Sequence, residues 1–588
     1  MIQLLKYLKA KDWGVVSMIL LFIVAQVFLD LKLPDYMSEI TMMVQTPGSE
    51  TSDIIQTGGY MMLCALGSLV AAIIVSFLAT RLAASFAKNL RERLFDQVED
   101  FSMQEINGFS TSSLITRSTN DITQVQMFIA IGMQILFKAP IMAIWAITKI
   151  SNKNWQWTAA TGITVVALLA VIILVISLAL PRFKRIQTLT DNLTAVTREN
   201  LTGIRVVRAY NGEEHEEKKF ETANTALNQN YLFTTRAMAI MSPSMIAAMN
   251  GLSLAIYWIG AYLINNTLDM MERITIFSDM VVFSSYAIQV VMSFVMLTFV
   301  FIILPRAQVS AIRIKEVLNT SSSIKDGTVE KGKDQLEGEI EFRNVSFKYP
   351  DASDYVIKDI NFTARKGETI AFIGSTGSGK STIVNLVPRF YDPTEGEILI
   401  DGVNIKEYTQ EALRNKIGYV PQKAVLFSGT IASNVAFGDN GKEDISKDAV
   451  KQAISVAKGT DFVEKTTDTY EGHVAQGGNN FSGGQKQRLA IARAIARDPE
   501  FFIFDDSFSA LDYKTDRELR SQLKEEAGHV TNLIVGQRIG TIKDADTIIV
   551  LDEGRIVGKG THKELLATCE VYREIAYSQL SEEELANE

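Results

Sequence analysis

The segment Gly374-Ser-Thr-Gly-Ser-Gly379-Lys380-Ser381 holds the most specific chemistry in the chain. It follows an apolar run, Thr369 to Ile373, that reads as a strand, and it precedes an apolar helix beginning near Thr382. In that setting glycines let successive backbone N–H groups face phosphate oxygens. Lys380 then reaches the β and γ phosphates, and the Ser381 hydroxyl ligates magnesium. The expected nucleotide contacts are Gly374, Ser375, Thr376, Gly377, Ser378, Gly379, Lys380, Ser381 and Thr382. A second apolar strand, Phe501 to Phe504, ends in Asp505, the expected carboxylate on the same ion. ATP and Mg2+ are the cofactors this pairing predicts.

About a hundred residues beyond the P-loop, Phe481-Ser482-Gly483-Gly484-Gln485 leads into a helix carrying Lys486, Gln487 and Arg488. A helix N-terminus preceded by small residues offers backbone donors and a positive dipole end to a γ-phosphate. With P-loop, Ser-Gly-Gly-Gln and Asp strand in this order, the sequence resembles the ATP-binding cassette (ABC) exporter family over nearly its whole length. That resemblance implies further roles. Tyr349 in Phe347-Lys-Tyr-Pro matches the aromatic that stacks on adenine, and Gln422 in Val420-Pro-Gln matches the Q-loop and a magnesium contact. Ser509-Ala-Leu-Asp512 matches the D-loop, while Ala475-Gln-Gly-Gly478 fits the x-loop only loosely. In the family, Ser482, Gly483, Gly484 and Gln485 would address ATP held on an opposing cassette. This chain has one cassette, so the resemblance implies that another chain supplies the second.

Two positions depart from the family pattern. Asp506 follows Asp505 where Glu normally polarises the attacking water, and Gln537 in Ile534-Val-Gly-Gln-Arg-Ile stands where a switch His is expected. Losing one methylene retracts a carboxylate by ~1.5 Å, enough to cost ~100-fold in rate. Gln bonds a γ-phosphate but carries no charge and shuttles no proton. Asp506 and Gln537 are therefore read as degenerate catalytic positions in a site that binds Mg-ATP and cleaves it slowly. The pattern is similar to the degenerate-site subunit of bacterial heterodimeric multidrug exporters, which implies a partner half-transporter with intact Glu and His.

These motifs need a platform. Six apolar runs of roughly twenty residues, long enough to cross ~30 Å of hydrocarbon, all lie before residue 306: Trp13 to Phe28, Gly58 to Thr80, Met127 to Ile147, Trp157 to Leu180, Pro243 to Ile264 and Met280 to Leu304. Basic residues gather after the second, fourth and sixth (Arg81, Lys88, Arg91, Arg93; Arg182, Lys184, Arg185; Arg306, Arg313, Lys315), while Asp35, Glu39, Asp269 and Glu272 mark alternate loops. By the positive-inside tendency both termini and the nucleotide-binding domain are cytoplasmic, in a multi-pass protein of the cell membrane. The long inner loops, about 81 to 126 and 181 to 242, read as helical extensions. By family resemblance their tips, near Ser110 to Arg117 and near Tyr210 to Glu216, are coupling helices. From Glu339 the strand and helix texture is that of an α/β domain.

The expected organisation is multi-domain: a six-helix transmembrane domain over 1–318, similar to type IV ABC exporters, a polar linker over 319–338, an α/β P-loop nucleotide-binding domain over 339–580, and an acidic tail over 581–588. Composition agrees: 47% hydrophobic and 21% charged residues suit neither one soluble globule nor a chain lying wholly in lipid. A net charge of −9 argues against a nucleic-acid partner, and the two cysteines, Cys64 and Cys569, form no metal motif.

In the sixth run Tyr286, Gln289, Ser293, Met296 and Val300 share a helical face and could line a cavity, joined by Met245, Met249 and Asn250 of the fifth. Lys138, within the third, is expected to snorkel toward an interface. The leading expectation is half of a heterodimeric exporter of hydrophobic or amphipathic compounds, in contact with membrane lipids. A lipid or peptide exporter half, and a nucleotide-gated membrane regulator without transport, remain as alternatives.

Overall fold

A computed structural model of the chain describes residues 6–46, 48–151, 153–350, 352–442 and 444–580; the expected tail 581–588 lies outside the described residues. Two compact units result, Met1–Glu99 with Thr111–Thr320, and Asp100–Ser110 with Ser321–Glu588.

Among the described residues, the first unit holds six helices apolar and long enough to cross a membrane: Ala10–Gln45, Thr51–Glu99, Thr111–Ser151, Trp155–Thr202, Glu213–Asn266 and Met270–Asn319. They exceed the apolar runs because hydropathy marks where lipid ends, whereas a helix continues until its backbone is capped. The second has 49 residues, about 70 Å at 1.5 Å per residue. Asp35 and Glu39, read from sequence as loop residues, therefore sit inside the first helix. The third helix contains two π-helical turns, Arg117–Asp121 and Phe128–Gly132.

Three lysines of the third helix and the loop after it are paired. Lys149 Nζ lies 2.7 Å from Asp35 Oδ2, Lys153 pairs with Asp279, and Lys138 Nζ lies 3.5 Å from Asp30 Oδ2. Lys138 thus finds a counter-ion on the first helix instead of snorkelling. The expected cavity stripe is corrected at three of its residues, while Gln289 and Met296 are half-buried. Tyr286, Ser293 and Val300 are buried in helix packing, and the Tyr286 hydroxyl bonds Asp35 on the first helix. An apolar cavity of about 410 Å³ instead lies among Leu180, Phe183, Tyr231, Met238, Met241 and Arg306.

The two extension tips differ. Helix Met103–Phe109 belongs to the second unit: Asn107 Nδ2 donates to the Tyr391 hydroxyl (2.9 Å), and Ser102 Oγ lies 3.0 Å from Ser323 Oγ. This segment, not Ser110 to Arg117, is the short helix at that tip. Ser102 and Glu105 cap its start reciprocally, and Ser110 at φ +59° ends it. At the other tip, helix Ile204–Ala209 lies between Gly203 and Gly212, with Tyr210 82% exposed.

In the second unit a four-stranded sheet runs β2 (Ile357–Ala364), β1 (Ile340–Phe347), β4 (Glu395–Ile400), β5 (Val403–Asn404). A six-stranded sheet is ordered β12 (Arg555–Gly560), β11 (Thr547–Asp552), β3 (Thr369–Gly374), β10 (Thr531–Val535), β9 (Phe501–Asp505), β6 (Ile417–Val420), and β7 (Gly429–Thr430) pairs with β8 (His473–Val474) in a small separate sheet. Every residue of β9 and β10 is buried, as parallel strands covered on both faces require. Part of the polar stretch before β1 is fastened to this unit: Thr328 N donates to Glu407 O (2.8 Å) and Lys333 N to Asp401 O (2.9 Å).

Candidate functional site

The strands β3, β10, β9 and β6 are neighbours and parallel, so their C-terminal ends lie along one sheet edge. Those ends deliver, in that order, the P-loop, Gln537, Asp505 with Asp506, and Gln422. Ligands of open α/β sheets bind at such an edge. Residues as far apart as Gly374 and Gln537, 163 positions in sequence, thus become one cluster through strand order.

The P-loop turns out of β3 with no room for side chains at its hinges. A Cβ on Gly374 would stand 2.0 Å from Leu551 O, and one on Gly379, at φ +96°, would stand 2.4 Å from Ile357 Cγ2. Between them Ser375, Thr376 and Gly377 are exposed, while Ser378, Gly379 and Lys380 are buried. The Lys380 ammonium donates to Gly374 O (2.9 Å) and Ser375 O (2.7 Å). These carbonyls hold it within the loop, and burial pulls its pKa below the usual lysine value. The Ser381 hydroxyl donates to Asp505 Oδ1 (2.7 Å). Burial pushes the Asp505 carboxyl above its ordinary value, opposed by the Ser381 hydrogen bond.

These residues fit the expected ligands. A glycine-hinged loop with exposed backbone and one cation suits phosphate. Ser381 and Asp505 place two hard oxygen donors together, the preference of Mg2+, and Gln422 would add a third. When bound, Mg2+ would neutralise charge shared between the β and γ phosphates.

Asp506 takes the left-handed conformation at φ +49°. One carboxylate oxygen, Oδ2, accepts from Gln537 Nε2 (2.8 Å) and from Gln422 Nε2 (3.2 Å). The two departures from the family pattern therefore touch each other, and both meet the Q-loop glutamine. Burial also raises the Asp506 pKa, against the hydrogen bonds that lower it.

Tyr349 stands beside the P-loop helix Lys380–Leu386, its hydroxyl 3.3 Å from Thr382 Oγ1. Tyr391 meets its ring edge-on at 5.3 Å between centroids. Sequence reasoning missed Tyr391, an aromatic outside any motif that links Tyr349 to Asn107 of the capped helix. Ser482 caps the helix Gly483–Ala496: Ser482 N donates to Gln485 Oε1 (2.8 Å), and Gln485 N to Ser482 Oγ (3.3 Å). Among the described residues no hydrogen bond joins Ser482–Gln485 to the P-loop. A Cβ on Gly483 would meet nothing within 4 Å, whereas one on Gly484 would lie 3.2 Å from Ala510 O.

Comparison with known proteins follows the same division. Residues 357–509 match the family described as ABC transporter, and residues 16–309 match the ABC transporter transmembrane region. An uncharacterized ABC transporter ATP-binding protein of Mycobacterium tuberculosis is 38% identical, covering 96% of each chain. One from Bacillus subtilis is 36% identical over 88% of each. An ATP-dependent lipid A-core flippase of Pseudomonas aeruginosa is 32% identical, covering 84% of this chain and 80% of its own. A solved bacterial Atm1-family ABC exporter with ATP bound has the same fold, with TM-score 0.80 at 24% identity over 97% of this chain and 100% of its own.

Proposed function

The chain belongs to the ABC transporter family, and we propose that it is one half of a heterodimeric, ATP-driven exporter whose own nucleotide site binds ATP and hydrolyses it poorly. The observation that carries this reading is the bond from Gln537 to Asp506. A base one methylene short is tied to the uncharged residue at the switch position, and a second amide, Gln422, shares its oxygen. A carboxylate held by two amides is poorly free to orient water. Tyr349, Gly374, Ser375, Thr376, Gly377, Ser378, Gly379, Lys380, Ser381 and Thr382 bind the nucleotide, and Ser381, Gln422 and Asp505 hold Mg2+.

The signature segment Ser482–Gln485 completes the partner's site, where an intact Glu and His perform hydrolysis. Its capped backbone and the open space over Gly483 favour that role. Loop charges favour a cytoplasmic cassette and cytoplasmic termini. The exposed Tyr210 tip, unlike the Met103–Phe109 helix, is available to a partner chain.

An amphipathic cargo is favoured by the apolar cavity, whose lining includes Arg306 and Tyr231, and by relatives whose name specifies a lipid cargo. The test compares ATP turnover of the purified chain with that of its assembly with a cassette partner. The lone chain is expected to be nearly inactive. Turnover of the assembly should vanish when the partner's Glu is neutralised and survive Asp506→Asn. Brisk hydrolysis by the lone chain would overturn the reading.

A further inference from the structure

The C-terminal helix, Glu570–Gln579, buries Tyr572 and Ala576 in a core shared with Ala371 and Ile373 of β3 and with Ile539 and Ile542. The last two belong to a short helix, Ile539–Ile542, that starts two residues after the switch position. Spacings of four and three put Gln579 on the same helical face as Tyr572 and Ala576. Where that face would continue with an apolar residue, the sequence has an amide, and the amide is used twice. Gln579 Oε1 accepts from Ile539 N (2.9 Å), and Nε2 donates to Gln537 O (2.8 Å). A primary amide carries a donor and an acceptor together, so one side chain bonds the backbone on both sides of Arg538. Ile539 N is among the orphan donors of a helix start, and Arg538 gives that start no side-chain cap.

The residues so held reach the catalytic positions. Gln537 Nε2 donates to Asp506 Oδ2, and the Arg538 guanidinium donates to Ser509 O (3.2 Å) and Leu511 O (3.4 Å). Side chains of the switch segment thus bond the turn after β9, while its backbone is pinned by the C-terminal helix. The sheet holds the approach as far as Gly536, whose N–H donates to Phe372 O (3.1 Å). Gln537 and Gln579 are both exposed, so water replaces their mutual bond at little cost to folding, but it does not reproduce the position of residue 537. Tyr572 and Ala576, fully buried, keep the helix in place without Gln579.

We propose that Gln579 is a positioning residue: the last turn of the C-terminal helix fixes the backbone of Gln537 so that its amide stays on Asp506. This rests on the reading of a poorly hydrolysing site and names what keeps it so. Among the described residues Gln579 makes no hydrogen bond to the P-loop, so it acts on the rate and leaves ATP affinity alone.

The experiment follows phosphate release in a single turnover from the assembly whose partner Glu is neutralised, with an ATP titration and a thermal melt on the same samples. Gln579→Glu keeps the size of the side chain and the acceptor for Ile539 N but loses the donor to Gln537 O. It is expected to raise the rate about threefold, the worth of one modest hydrogen bond, with half-saturating ATP and melting temperature unchanged. Ser578→Ala, a control on the same helical turn, should leave the rate as it is. In a Gln537→Ala background Gln579→Glu should have no effect, since the side chain it positions is gone.

An unchanged rate in Gln579→Glu overturns the proposal, as does an equal rise in Ser578→Ala or in the Gln537→Ala background. If Gln579→Glu fails to fold, Gln579→Met, which keeps the length and removes both polar atoms, decides it by the same comparisons. A wild-type site that turns over briskly, and that Gln579→Glu slows only while Gln537 is present, keeps the positioning role and overturns the reading of a poorly hydrolysing site.

Discussion

Restoring the side chains that hydrolysis needs should reactivate this site in two unequal steps. Asp506→Glu moves the carboxylate outward by about 1.5 Å, a displacement worth ~100-fold, or about 2.7 kcal/mol, when it brings a base into position. Gln537 opposes the gain. Its amide reaches Asp506 Oδ2 at 2.8 Å, and a hydrogen bond to a charged group is worth about 1.5–3 kcal/mol, so the longer carboxylate is still drawn toward residue 537. Asp506→Glu alone is therefore expected to raise the rate by about tenfold, with the remaining ~10-fold appearing only when Gln537→His is added. The assay is single-turnover release of phosphate from an assembly whose partner Glu has been neutralised, so that only this site reports. The two changes should be more than additive. A wild-type rate already equal to that of the double variant, or additive single effects, would refute the claim that the pair acts as a clamp.

Further outcomes concern the same unit. Gly483→Ala should leave folding intact, because its Cβ meets nothing in this chain, yet lower the partner's turnover; a thermal melt read beside ATPase activity separates the two effects. Gly374→Ala should instead prevent the cassette from folding, since its Cβ would stand 2.0 Å from a carbonyl oxygen, and recovery of soluble, nucleotide-binding protein would contradict this. Burial raises the Asp505 and Asp506 carboxyls, so at Asp505 protons compete with Mg2+ at higher pH than for an ordinary aspartate. Mg-nucleotide affinity should fall on acidification from above that range, with proton release measurable by calorimetry in two buffers. For the ligand-free cassette the sign is opposite: the stabilisation from these groups is complete below their unfolded values and is lost as pH rises through the raised folded ones.

Local pattern made the six spans, the P-loop and the signature legible, since each is a contiguous run whose spacing carries its own chemistry. What stayed hidden is pairwise and distant. Asp30 and Lys138 meet across 108 positions and Tyr286 and Asp35 across 251, so snorkelling and cavity lining were reasonable for residues whose partners lay on other helices. Asp506 and Gln537 were each conspicuous, but their mutual bond depends on β9 and β10 being adjacent. The helix Met103–Phe109 was readable from the Ser102 and Glu105 capping box; family analogy placed it several residues too late.

That helix has a mechanical consequence. Because Asp100–Ser110 counts with the cassette, the chain crosses between the two units three times, near residues 99, 110 and 320. The cassette unit is therefore built from two separate stretches of chain, joined by the Asn107–Tyr391 and Ser102–Ser323 hydrogen bonds. A proteolytic nick beside Thr320 should thus leave Asp100–Ser110 still bonded to the rest of the cassette unit through Asn107 and Tyr391.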